Sequence, residues 1–156
     1  MSEPRIGFDA GEISTSEPTR QARLKWVVVV ADDLDPGLQV NAAVCVAAST
    51  ADNVYGLLGP DAVDRSGLGH PGLPWAGCTI LRANAEWFAG IRDRGSEFQD
   101  VFMADMPVAA QETRVYDEYL EAVEGTASSA LRLSAVSIVG PRKTVDRLVK
   151  KLTLLP

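Results

Sequence analysis

One histidine, His70, is all the imidazole this chain has, so any proton transfer that needs that group must use one loop residue. Cysteine is almost as scarce. Cys45 and Cys78 both sit in apolar sequence, the usual setting of reduced, buried thiols in a cytoplasmic protein. No stretch approaches the roughly 20 apolar residues of a membrane span, and no basic segment with an apolar core opens the chain. A cytoplasmic protein without a membrane partner is expected. Positive charge is in deficit: 15 Lys and Arg against 21 Asp and Glu leave a net charge of -6. A general nucleic-acid binder needs a basic face to displace counterions from phosphates, so that class is disfavoured. The basic residues that are present crowd the end of the chain, from Arg142 to Lys151, and read as a solvated helix face. Repeats and interdomain linkers are absent. With 156 residues, 46% of them hydrophobic, one domain with a proper core is expected.

What is present centres on residues 25–49, KWVVVVADDLDPGLQVNAAVCVAAS. Four consecutive valines resist helix and suit a strand covered on both faces. Asp32, Asp33, Asp35, Pro36 and Gly37 then break the run. Residues 40–49 follow as a helix of small side chains able to pack closely on a sheet. Residues 1–22, polar and proline-containing, read as a flexible leader with Ile6 and Phe8 as the one candidate anchor. Residues 23–156 are the single domain.

After the first helix, the glycine- and proline-dense ADNVYGLLGPDAVDRSGLGHPGLPWAG predicts a structured loop of the kind that often carries function. Strands are expected over 78–81, 100–104 and 131–139. Helices are expected over 85–94, capped by Asn84 and ended by Gly95, over 107–125 with Pro107 in the first turn, and over 143–151. LTLLP is a candidate edge segment. The order of elements predicts a three-layer α/β/α sandwich around a four-stranded sheet, mostly parallel, with one strand free to run the other way.

The residues also carry a resemblance. The opening strand, Asp-Leu turn and alanine-bearing helix, together with SAVSIVGPRKTVDRLVKKLTLL at the end, resemble the archaeal and eukaryotic type of peptidyl-tRNA hydrolase. The loop with GHPGLP, the segment AAQETRVYDEY and the ending resemble an uncharacterised bacterial family, domain of unknown function 2000, which shares that fold. The resemblance spans residues 25–155 and implies a peptidyl-tRNA-hydrolase-like domain. Of the hydrolase helix pattern Lys-Gly-Lys-x-Ala-Ala-Gln-x-x-His-Ala, this chain keeps Ala42 and Ala43. Leu38 and Val40 stand where the lysines would be, with Gln39 in place of the glycine, Val44 of the glutamine and Ala47 of the histidine. Valine can neither bind phosphate nor move a proton as a lysine can, so tRNA is not the expected substrate.

Candidate chemistry gathers at three places. His70, in the glycine-shaped loop, is a general acid or base, or a surface histidine bonded to backbone. Asp64, six residues earlier, either orients it or forms a turn. Asn41 begins the small-faced helix, where its amide either donates to an oxyanion or ties helix to loop. Asp33, at the carboxyl end of the first strand, lies where ligands gather in open α/β sheets. Without a histidine at fixed spacing, its acidic cluster suggests no metal. Gln111 and Tyr116 supply polar contacts to a substrate or join helix to loop. The expectation is an enzyme acting by hydrolysis or acyl transfer on a small amide, ester or aminoacyl compound, with His70, Asn41 and Asp33 catalytic. Asp64, Gln111 and Tyr116 would bind substrate, and no cofactor would be needed. The alternative is a non-catalytic small-molecule-binding module on the same fold. In either case a homodimer would hide the apolar area of the sheet and the aromatic helix.

Overall fold

A computed structural model describes residues 5–156. The valine run forms β1 (Leu24–Ala31) at the centre of the sheet. Its side chains alternate as a pleat requires. Trp26, Val28 and Val30 enter one core, and Val27, Val29 and Ala31 enter the other. All but Lys25 are buried, which explains why β1 has no polar face.

Helix α1 (Pro36–Asn53) covers the first core. Pro36 occupies its first turn, where the missing N–H costs nothing. Ala42, Val46 and Thr50, one turn apart, form its buried stripe. After α1 the chain leaves the sheet as an arm. It pairs Leu58 with Pro74 and ends in the short strands β2 (Ala62–Val63) and β3 (Gly69–His70). It returns to β4 (Thr79–Ala83), which lies parallel to β1.

Helix α2 (Ala85–Ser96) covers the second core with Phe88 and Ile91. Asn84 caps it as expected, its side chain accepting the Trp87 N–H at 3.0 Å. Gly95 does not end the helix. It lies inside the last turn, where an added Cβ would sit 2.0 Å from the sulfur of Met103. Glycine here permits close approach of α2 to β5 (Phe102–Pro107).

The predicted helix over 107–125 is two helices, and Pro107 ends a strand instead of starting a helix. Helix α3 (Ala109–Glu112) is a single turn, closed where the Thr113 hydroxyl donates to the Ala109 carbonyl. The chain is extended at Thr113 and Val115 before α4 (Tyr116–Glu124). These two helices return the chain to the end of β5 from which it left. The next strand, β6 (Leu133–Pro141), therefore runs antiparallel to both β5 and β1. Helix α5 (Arg142–Leu148) joins α2 on the second face. β7 (Thr153–Leu154) then pairs antiparallel with β4.

The sheet is thus mixed and five-stranded, in the order β5-β6-β1-β4-β7. The expectation of four mostly parallel strands is corrected on both counts. Only β1 and β4 are parallel, and the LTLLP segment supplies the fifth strand. Within residues 6–22, expected as a flexible leader, Phe8 and Ala22 join the first core. Phe8 is 2% exposed and meets Trp75 edge-on, and Arg23 holds Glu12 through two hydrogen bonds. Residues 1–4 lie outside the described part.

Candidate functional site

The parallel pair β1–β4 ends beside β6 and the exit of β5, and a hollow opens there. Its volume is about 330 Å³, with Leu34, Phe88, Val108 and Leu133 among its walls and Asp33 and Arg132 among its polar lining. Open sheets gather ligands at this position because strand ends and helix starts leave backbone groups and turns facing a crevice. Phe88, Ala89 and Leu131 also wall a broader groove of about 800 Å³ between α2, β5 and α4, so the two form one cleft. Arg92 and Asp105 form an ion pair in the groove. Arg132 lies 3.7 Å from Glu112, both largely exposed, so that pair holds little and leaves the guanidinium available. A further polar hollow of about 690 Å³, lined by Arg5, Asp52, Asn53 and Gln99, lies at the opposite end of the sheet.

Asp33 belongs to the turn that lines the cleft. Gln111 lies just behind it in α3. Its Oε1 accepts from the hydroxyl of fully buried Ser134, and its Nε2 donates to the Leu38 carbonyl and to Asn41 Oδ1 at 2.9 and 3.2 Å. The amide joins α3, β6 and the first turn of α1, and leaves the Asn41 N–H groups free to donate elsewhere. Asn41 and Gln111, 70 residues apart in sequence, are therefore brought together. Tyr116 shares a groove with Cys45, Ala48 and Ser49, further along α1. It is stacked edge-on against Tyr119, and this groove lies between α1 and α4.

His70 is placed elsewhere. It lies on the arm, half exposed, with Nε2 3.2 Å from Asp64 Oδ2. Asp64 also accepts the Ser66 and Leu68 N–H groups, which fold the turn between β2 and β3. These amides, Leu68 foremost, and the imidazole hold its carboxyl below the usual range. Neither residue lines the cleft or the α1–α4 groove. The two cysteines are unpaired, as expected, but they are exposed and not buried. Among the described residues, no cluster of three or more His, Cys, Asp or Glu could hold a metal, and no helix is long and apolar enough to cross a membrane.

Sequence reading did not single out Phe88, Arg132 or Ser134. The first two look like an ordinary core residue and an ordinary surface charge. Ser134, a polar residue inside an apolar strand run, was the one available signal.

The family model for the protein of unknown function DUF2000 matches residues 24–156, from the start of β1 to the last residue. The chain belongs to the DUF2000 family. A solved structure of a protein of unknown function, Atu0240 from Agrobacterium tumefaciens strain C58, is similar in fold, with a TM-score of 0.79 and 16% identity. The alignment covers 86% of this chain and 98% of that one. At such identity the likeness concerns the fold alone. No curated protein matches this DUF2000 chain in sequence.

Proposed function

We propose that this DUF2000 domain binds a small molecule in the cleft at the carboxyl end of β1 and β4. The reading rests on one observation: an apolar-walled hollow at that strand end, with Asp33 and Arg132 in its lining, adjoins a more polar groove along α2. Such a lining suits a ligand with an apolar body and a polar end, which apolar walls hold and a few polar groups orient. A thermal-shift screen against metabolites tests it, because a ligand that binds only the folded chain raises the melting temperature. Ala89→Trp, at an exposed position shared by both parts of the cleft, should abolish the shift given by any hit. Hits whose shifts survive both Ala89→Trp and Leu131→Arg would overturn the reading.

The second reading is hydrolysis or acyl transfer on a small amide, ester or aminoacyl compound. The Asp64–His70 pair favours it, since a carboxylate that fixes an imidazole is the usual support of a general base. In it Asn41 would donate its free N–H to an oxyanion, while Asp33, Gln111 and Tyr116 would contact substrate. It ranks second because His70 extends from the arm, apart from the cleft. A true ester or amide substrate turned over equally by His70→Ala would remove the imidazole from the reaction. Kinship of fold with the peptidyl-tRNA hydrolases also belongs to this proposal and rests on residues 25–49 and 134–155. Binding of tRNA that weakens steeply with salt would extend it to substrate. A cytoplasmic location is proposed from the scarcity of cysteine and the unpaired state of both thiols.

A further inference from the structure

Among the described residues, nothing covers two apolar surfaces of this molecule. The first is the arm, residues 57–75, which ends in a two-stranded ribbon separate from the main sheet. Leu58, Val63, Leu68 and Leu73 point outward from it, Leu73 at 78% exposure. An isolated two-stranded hairpin is marginal in water, and exposing four large aliphatic side chains makes it more so. The second is the groove of about 620 Å³ between α1 and α4. Its walls include Cys45, Met106, Ala110, Val115, Tyr116 and Tyr119. Helix α4 has an apolar stripe and an acidic face, yet not one of its residues is buried. An amphipathic helix ordinarily turns its apolar stripe to a core. The α1 wall of the groove is also uncharged, since that helix carries no charged residue from Pro36 to Ala51.

We propose that a second copy of this chain covers both surfaces at once: each copy lays its arm in the α1–α4 groove of the other. The charges fit this occupant. Arg114 lines the groove with no ion-pair partner among the described residues, and the arm brings Asp61, whose carboxylate is exposed. Arg65, at the tip of the arm, is likewise without an ion-pair partner there, and α4 offers Asp117, Glu118 and Glu121. The chain as a whole carries -6, so two copies repel over most of their surfaces. The groove itself carries one charge of each sign, Asp105 and Arg114, and so does not add to that repulsion. Because arm and groove belong to one chain, a two-fold axis satisfies both in both copies and closes the assembly.

The test combines mass with a directed cross-link. Wild type should elute and scatter light as a dimer. Leu73→Asp on the arm and Tyr116→Glu in the groove should each give a monomer, with circular dichroism unchanged because both positions are exposed. The cross-link uses one chain carrying Leu68→Cys and Cys45→Ser mixed with a second chain that keeps Cys45. Mild oxidation should join the two through residue 68 of the first and Cys45 of the second. The same mixture with Cys45→Ser in both chains should stay unlinked. A wild-type monomer at every concentration loaded would overturn the proposal. So would a dimer that survives both charge substitutions and gives no link, which would place the contact on another surface. A monomer whose groove is filled by a different protein belongs to the first of these outcomes.

Discussion

The indole N–H of Trp26 donates to the hydroxyl of Ser137 at 2.8 Å inside the core. Ser137 is 2.6 Å from the hydroxyl of Thr50, which donates to the Val46 carbonyl at 2.7 Å. The last bond fixes the direction of the rest. Trp26 gives to Ser137, Ser137 to Thr50, and Thr50 to the backbone of α1. Every proton in the chain is used, and β1, β6 and α1 are joined across an otherwise apolar layer. Ser137→Ala leaves the indole donor buried without an acceptor, which should cost about 1–3 kcal/mol of unfolding free energy. Urea denaturation of the variant against wild type measures it.

Glu12 gives the acid limb of stability a defined origin. The guanidinium of Arg23, followed by the Asp9 N–H, holds its carboxyl at about 2 against an ordinary value of 4.5. A depressed carboxyl stabilises the fold above its unfolded value and loses that contribution as pH falls. The loss should therefore run from pH 4.5 down through about 2. Glu12→Gln should flatten the wild-type acid slope in that window. Because Phe8 lies against Trp75, tryptophan fluorescence should report release of residues 6–22 alongside the melting curve.

The arm depends on a glycine at one position and not at its neighbour. A Cβ on Gly72 would lie 1.9 Å from the Gly59 carbonyl oxygen across the ribbon, whereas one on Gly69 would meet nothing within 4 Å. Gly72→Ala should separate the two strands of the arm at a local cost of about 1–3 kcal/mol. Gly69→Ala should be silent. Amide exchange at Gly59, whose N–H bonds the Leu73 carbonyl, distinguishes the two variants.

The thiols should differ in reactivity. Cys78 has part of its surface in solvent, but the surrounding protein pushes its thiol up to about 12. At pH 8 roughly one molecule in 10⁴ would carry that thiolate, and only the thiolate is nucleophilic. In the monomeric Tyr116→Glu variant, whose groove is uncovered, a disulfide-exchange reagent at pH 8 should therefore consume one thiol promptly, and adding Cys45→Ser should remove that phase. Two equally fast thiols would contradict the assignment.

Much of this fold was legible because its signals are local. A valine run needs two buried faces, a proline starts α1, and Asn84 caps α2 three residues from the amide it binds. The direction of β6 was not legible. It depends on α3 and α4 turning back, and the break at Thr113 is set by a tertiary tie through Gln111 as well as by the local hydroxyl bond. β7 was legible only as a candidate edge segment, because two paired residues carry no period. The same division holds at the candidate site. Asp64 and His70, six residues apart, form a pair that spacing alone suggests. The Asn41–Gln111 bond and the cleft walls around Phe88 join distant parts of the chain through side chains that look ordinary in isolation.

The pairing of β1 with β6 has a consequence for how the protein is made. Val27 lies opposite Ile138, so the hydrophobic middle of the sheet stays half-finished until more than a hundred further residues have been translated. At about 5–20 residues per second this delay lasts roughly 5–20 s, during which a bare valine ribbon is open to wrong partners. Chaperones that shield apolar strands at the ribosome exit should therefore raise the yield of folded chain.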